Sequence, residues 1–207
     1  MITTDLQDAA IFKLNLKFNL DDALEYYNIL KKDLNHLSWV YREHHNEPAM
    51  IDPKNNMDDV KGWGLQTIYD DPSFPYHCDL DPHDDGPEYF KDTPMVFGFF
   101  KRFIDMLKQP YRSFLFVWPS GQYIGKWMSH DPPHVFVALI LQSNKDCYAY
   151  SYQSEEKVPL ETGDVYLVDT TQYAAELRND GEQDFIFIVT SVPVEYKQEL
   201  IDLKGII

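Results

Sequence analysis

Between residues 10 and 18 the apolar side chains of Ile11, Leu14, Leu16 and Phe18 stand among polar ones, a short-period pattern that predicts an opening strand. Asn19-Leu20-Asp21-Asp22 then predicts a helix start, with acids at the end where the helix dipole favours them. Leu20, Ala23, Leu24, Tyr27, Leu30 and Leu34 form one apolar face, so this helix is expected to end near Asn35. Residues 44–59 are polar and irregular, whereas 62–69 read as a strand. Residues 70–92, dense in Asp and Pro, predict a long surface loop. Thr93 as N-cap and Pro94 at the first helical position predict a second helix running to about Lys108, with Phe97, Phe100, Ile104 and Leu107 inward. From Tyr111 onward the pattern shortens into strands at 111–118, 123–128, 134–142, 146–152, 164–168, 172–178 and 183–192, followed by a closing helix over 195–203.

Two helices followed by evenly spaced strands predict a mainly β protein with flanking helices packed on a sandwich or barrel. A double-stranded β-helix, the cupin-like jelly roll, fits this strand count, as does another β-sandwich. The 207 residues suffice for one sizeable core, and a single domain over 1–207 is expected. In it, 1–110 would pack helices and N-terminal strands on the barrel, 111–192 would form the core strands, and 193–207 the C-terminal helix and tail.

The composition, 44% hydrophobic and 15% aromatic, is that of a globular chain. A formal net charge of −16 narrows the partners. Nucleic acid and anionic membrane surfaces both require basic protein surface, so neither is expected. The N-terminus lacks a signal-peptide pattern, and no apolar run approaches the roughly 20 residues that span a bilayer. Cys78 and Cys147 stand far apart with no paired spacing, so neither a disulfide framework nor a zinc site is signalled, and a cytoplasmic location is expected.

Within 119–192 several short blocks are ordered in a telling way. They are Pro119-Ser120-Gly121, Ile124, the apolar run 135–141, Gly163-Asp164-Val165-Tyr166-Leu167-Val168-Asp169-Thr170-Thr171, Asn179, and Phe185-Ile186-Phe187-Ile188-Val189. This frame resembles the iron(II)/2-oxoglutarate dioxygenases, nearest the aspartyl/asparaginyl β-hydroxylase type. The resemblance implies a double-stranded β-helix with iron held by two histidines and often a carboxylate. It places the His-x-Asp pair at Trp127 and Ser129, yet indole offers no lone pair to a metal and a neutral hydroxyl is a weak ligand. The basic residue and histidine that help hold 2-oxoglutarate fall at Val135 and Val137. The distal histidine falls at Ala174 or Ala175, and the arginine that clamps the cosubstrate at Phe185. The last histidine of the chain is His134, so no later imidazole exists to complete such a site.

The expectation is therefore an oxygenase-like protein that lacks the iron and 2-oxoglutarate ligands and binds a small molecule, a peptide or a partner protein. Its degenerate pocket would be lined by Trp127, Ser129, Val135, Val137, Ala174, Ala175 and Phe185, and would favour an apolar or aromatic guest over a dicarboxylate. Two alternatives stand beside it. One is an active hydroxylase with a relocated triad from His77, Asp79 and His130 or His134, binding Fe(II) and 2-oxoglutarate. The other is a structural module that forms homo-oligomers. His130-Asp131-Pro132-Pro133-His134 reads as an exposed turn. His77-Cys78-Asp79, His83-Asp84-Asp85 and His45-Asn46-Glu47 are short patterns that arise easily among 34 acidic residues, and the acidic 79–85 loop would suit an adventitious calcium or magnesium ion. Tyr123, Trp127, Phe136, Tyr166, Tyr173 and Phe185 either line a pocket or plug it as core.

Overall fold

The computed structural model describes residues 10–33, 37–38, 61–67, 86–128 and 133–207. His77, Asp79, Ser129 and His130, with the 39–60 and 68–85 segments, lie outside the described residues. The chain enters through β1 (Ile11–Lys17) and α1 (Leu20–Asp33). Asn19 caps α1, its Oδ1 accepting from the backbone N–H of Asp21 at 3.1 Å, and Ala23, Tyr26, Tyr27 and Leu30 form the buried face. Short strands β2 (Leu37–Ser38), β3 (Lys61–Gly64), β4 (Gln66–Thr67) and β5 (Lys91–Asp92) precede α2 (Gly98–Ile104).

Eight strands follow: β6 (Tyr111–Trp118), β7 (Tyr123–Trp127), β8 (His134–Gln142), β9 (Cys147–Ser151), β10 (Glu156–Pro159), β11 (Asp164–Val168), β12 (Ala175–Asn179) and β13 (Phe185–Pro193). After them come α3 (Lys197–Asp202) and β14 (Gly205–Ile206). Strand β9 pairs antiparallel with β10, β8 with β11, β7 with β12 and β6 with β13. These eight strands are thus one long two-stranded ribbon, folded back at the β9–β10 turn. The ribbon winds so that β8 also meets β13 and β9 also meets β12. That winding is a double-stranded β-helix, and it yields two facing sheets. The larger has the order β14-β1-β11-β8-β13-β6-β3-β2, and the smaller β10-β9-β12-β7.

The large sheet is covered on both faces, which explains strands that are apolar throughout. One face packs Val135, Val137, Leu139, Val165, Leu167, Ile186 and Ile188 against α1, α2 and α3. The other turns Phe114, Phe116, Trp118, Ile140, Tyr166, Phe185 and Phe187 toward the small sheet. The outer face of the small sheet is instead a cross-strand row of Pro159, Tyr148, Arg178 and Tyr123. Arg178 lies over the Tyr123 ring at 4.6 Å, and Lys157 over Tyr148 at 3.9 Å.

Three local expectations are corrected. Thr93 does not start the second helix, because its hydroxyl donates to the Leu65 carbonyl at 2.9 Å and accepts from the Met95 N–H. This local side-chain turn holds 93–97 outside the helix, which begins at Gly98 and leaves Phe97 partly exposed. The strand expected over 62–69 is interrupted at Leu65, whose N–H bonds to the Ser113 carbonyl at 2.8 Å. Strands β10 and β14, absent from the sequence reading, complete the two sheet edges.

Candidate functional site: the mouth of the barrel

Cross-strand register lays out the inner wall of the large sheet in rows. Val168, Phe136, Ser191 and Tyr111 oppose one another at one end of the barrel, and Tyr166, Ala138, Val189 and Phe114 form the next row. Deeper still lie Ile140, Phe187 and Phe116, then Phe185 and Trp118. On the facing small sheet, Trp127, Ala175 and Ser151 form the first row, with Leu177 and Ala149 behind them. The first row of each sheet marks the mouth, from which the chain leaves at the β7–β8, β9–β10 and β11–β12 connections.

The deep end is filled. Phe185 stacks on Phe187 at 4.6 Å, and Trp118 meets both rings edge-on at 6.3 and 5.3 Å. Asn179 seals it, bridging the carbonyls of Trp118, Pro119 and Gln183. The Cys147 thiol donates to the Asn179 Oδ1 at 3.3 Å, and burial pushes that thiol's pKa up. The mouth is different in kind. It combines small side chains, Ala175, Ser151 and Ser191, with the rings of Trp127, Phe136 and Tyr111.

The seven pocket residues expected from sequence therefore separate. Trp127 and Ala175 face one another across β7 and β12, and Phe185 lies in the deep aromatic plug. Ala174 is buried just before β12, its carbonyl accepting from the Tyr152 N–H at 3.2 Å. Val135 and Val137 do not line the barrel. They point the other way, into the core beneath the helices. Successive residues of a strand face opposite sides, so their neighbours His134, Phe136 and Ala138 are the inward set. His134 is not in an exposed turn either. It opens β8 at 4% exposure, its ring edge-on to Phe136 at 4.8 Å and to Tyr111 at 5.9 Å. Ser129, His130, His77 and Asp79 lie outside the described residues.

Tyr111 and Ser191 were not singled out by sequence. Both are fully buried, and neither side-chain hydroxyl has a hydrogen-bond partner among the described residues. Burial pushes the Tyr111 phenol up to about 12; nearby Arg112 opposes this, while Glu195 and Glu88 add to it. The phenol is therefore protonated and a donor at neutral pH. The one available signal was a lone serine inside the apolar 185–193 run.

Several polar positions of the turn element over 163–171 have a structural task. Gly163 takes φ +86°, which a glycine adopts without strain, and bonds to the Ile140 carbonyl at 2.8 Å. Burial would raise the Asp164 carboxyl, but ion-paired hydrogen bonds from Lys13 and Lys17 outweigh it and hold the group below its ordinary range. The Tyr166 hydroxyl donates to the Pro159 carbonyl at 2.9 Å. Asp169, also buried and also held low, bonds to Lys197 at 2.7 Å and to the Thr171 N–H at 2.9 Å.

The residues at the mouth do not fit an iron and 2-oxoglutarate site of the kind the resemblance implies. The resemblance assigns ligands to Trp127 and to Ala174 or Ala175, and none of these side chains has a lone pair available for a metal. Among the described residues no three His, Cys, Asp or Glu side chains gather as a metal site. No described helix is long and apolar enough to cross a membrane.

No family model and no curated protein matches this chain. Among solved structures it is similar to an uncharacterized conserved protein with a double-stranded beta-helix domain from Klebsiella pneumoniae, at 16% identity and a TM-score of 0.33, covering 39% of this chain and 65% of that one. A predicted oxalate decarboxylase from Thermotoga maritima gives 16% identity and 0.34, covering 45% and 72%. A salicylate 1,2-dioxygenase from Pseudaminobacter salicylatoxidans gives 13% and 0.32, covering 43% and 23%. The chain thus spans less than two thirds of the Klebsiella protein and about a quarter of the dioxygenase. The strand order described above, rather than these partial likenesses, defines the chain as a cupin-like double-stranded β-helix protein.

Proposed function

We propose that this protein is a ligand-binding relative of the 2-oxoglutarate oxygenases, nearest the aspartyl/asparaginyl β-hydroxylase type, that has exchanged its iron and cosubstrate site for an aromatic-lined mouth. The observation that carries this reading is Trp127 set against Ala175, an indole facing a methyl, where the resemblance assigns iron ligands to Trp127 and to Ala174 or Ala175. Trp127 adds ring volume in that space, and the deep barrel, where a dicarboxylate would anchor, is plugged by Phe185, Phe187 and Trp118. The function is then non-catalytic binding of a small molecule that is apolar or aromatic over most of its surface.

Metal analysis of the purified protein and thermal melts with manganese(II) plus 2-oxoglutarate test this. A ligand present at about 100 times its dissociation constant stabilises the fold by about 2.7 kcal/mol. No shift is expected. Stabilisation that depends on 2-oxoglutarate and disappears in His77→Ala would establish the relocated-triad hydroxylase instead.

A further inference from the structure

Polar groups buried inside a protein are normally paired, because an unpaired one forfeits its bonds to water and gains nothing in return. Two hydroxyls at the barrel mouth depart from that rule side by side. Ser191 and Tyr111 are register partners on β13 and β6, just past a β-bulge in that pairing, and Ser191 is also opposed to Phe136 on β8. Opposed residues share a sheet face, and Phe136 packs on the barrel interior, so both hydroxyl-bearing side chains belong to the inner face. Each is 0% exposed, and neither oxygen has a partner among the described residues. The His134 ring stands edge-on to Tyr111 and to Phe136, and the Arg112 guanidinium lies 6.0 Å from the Tyr111 ring centre. Next to them in register stand Ala138 and Val189, and the facing sheet carries Ala175 and Ser151 in its first row.

We infer that Tyr111 and Ser191 form the polar anchor of a ligand subsite at the barrel mouth, which takes a planar aromatic molecule through an acceptor oxygen on its ring, a carboxylate or a carbonyl. Phe136 and Trp127 contact the ring, and the two hydroxyls donate to the oxygen. This deepens the binding function proposed above and rests on it. A molecule with two widely spaced carboxylates is excluded, because the deep end offers aromatic rings where the second would lie.

The test uses the full chain, with benzoate, acetophenone and toluene as probes. The first two carry an acceptor oxygen, charged and neutral respectively, and the third carries none. Calorimetric titration and melting temperature are read for the parent, Tyr111→Phe, Ser191→Ala and the double variant. Benzoate or acetophenone is expected to bind more tightly than toluene, and whichever wins identifies the head group. Each single variant is expected to weaken that probe about fivefold, the value of one net hydrogen bond. Toluene affinity is expected to stay unchanged. Without probe, neither variant is expected to melt below the parent, since each removes a hydroxyl that has no partner. A lowered melting temperature would show the hydroxyls already paired within the protein and overturn the inference. Equal affinity for all three probes, or no binding of any, would overturn it too. Stabilisation by manganese and 2-oxoglutarate would instead defeat the binding function itself, so the two failures are distinguishable.

Discussion

Asn179 donates a 3.0 Å hydrogen bond from Nδ2 to the carbonyl oxygen of Trp118, which lies 61 residues earlier in the chain. The same amide reaches the Pro119 and Gln183 carbonyls, and its Oδ1 accepts from Asn144, Cys147 and the Gly181 N–H. One side chain thereby joins the turns that close the deep end of the barrel. Asn179→Ala is expected to cost about 3 kcal/mol, because several buried and part-buried groups each lose a hydrogen bond at once. Asn179→Asp is expected to cost at least as much, since it deletes both N–H donors and buries a charge. Urea denaturation measures both.

Cys147 is sealed beneath that asparagine. Its thiol is 1% exposed and its pKa is raised by burial, so little thiolate forms at neutral pH. In a Cys78→Ser background, Cys147 is expected to resist iodoacetamide in the native protein and to react as the fold opens in urea. Mass spectrometry reads the labelled fraction, and rapid labelling without denaturant would contradict this placement.

Acid is expected to loosen the β1 and α3 attachments. Asp164, bound to Lys13 and Lys17, and Asp169, bound to Lys197, both have carboxyls held below their ordinary value of 3.8. A carboxyl lowered in the native state stabilises fully above its unfolded value, and that stabilisation is lost as the pH falls through the native one. Stability is therefore expected to drop from about pH 4 downward. The double variant Asp164→Asn, Asp169→Asn is expected to be less stable at neutral pH and flatter across the acid range, as read from urea midpoints.

The two faces of β8 make opposite predictions. Val137→Ala leaves a void beneath the helices and is expected to cost about 2 kcal/mol without altering probe binding. Ala138→Leu adds volume inside the barrel and is expected to abolish binding of benzoate and acetophenone. Calorimetry and melting curves on the same two variants separate the faces.

Tyr26 joins α1 to the loop before α2, its buried hydroxyl donating to the Met95 carbonyl at 2.7 Å. Tyr26→Phe leaves that carbonyl with the Phe97 N–H alone and is expected to cost about 1 kcal/mol, the value of one net hydrogen bond, measured by urea denaturation.

Much of this architecture was legible in the chain. Each of the seven strands expected after Tyr111 is present, with ends displaced by three residues at most, because apolar runs and turn residues punctuate them clearly. Strand β10 escaped notice because Glu156-Lys157-Val158-Pro159 is polar and sits at an edge, where no second neighbour demands an apolar face. The inward face of β8 was illegible for the opposite reason. Val135-Phe136-Val137-Ala138-Leu139 is apolar on both sides, and alternation cannot distinguish a helix-facing side from a barrel-facing one. His134 was disguised by Pro132 and Pro133, which signal a turn, although its own side chain is covered by Tyr111 and Phe136. Helix α2 began late because the Thr93 hydroxyl found carbonyl partners in Gly64 and Leu65, a tertiary contact that local sequence does not encode.

The row of tyrosines and cations on the small sheet also bears on how copies of this barrel behave when crowded. The sheet's outermost strands are β7, with exposed Lys126, and β10, with exposed Lys157 and Pro159. An incoming strand at either edge would have to desolvate an ammonium group, and at Pro159 it would find no N–H to receive it. Both margins therefore discourage edge-to-edge zipping, and the small sheet ends at four strands.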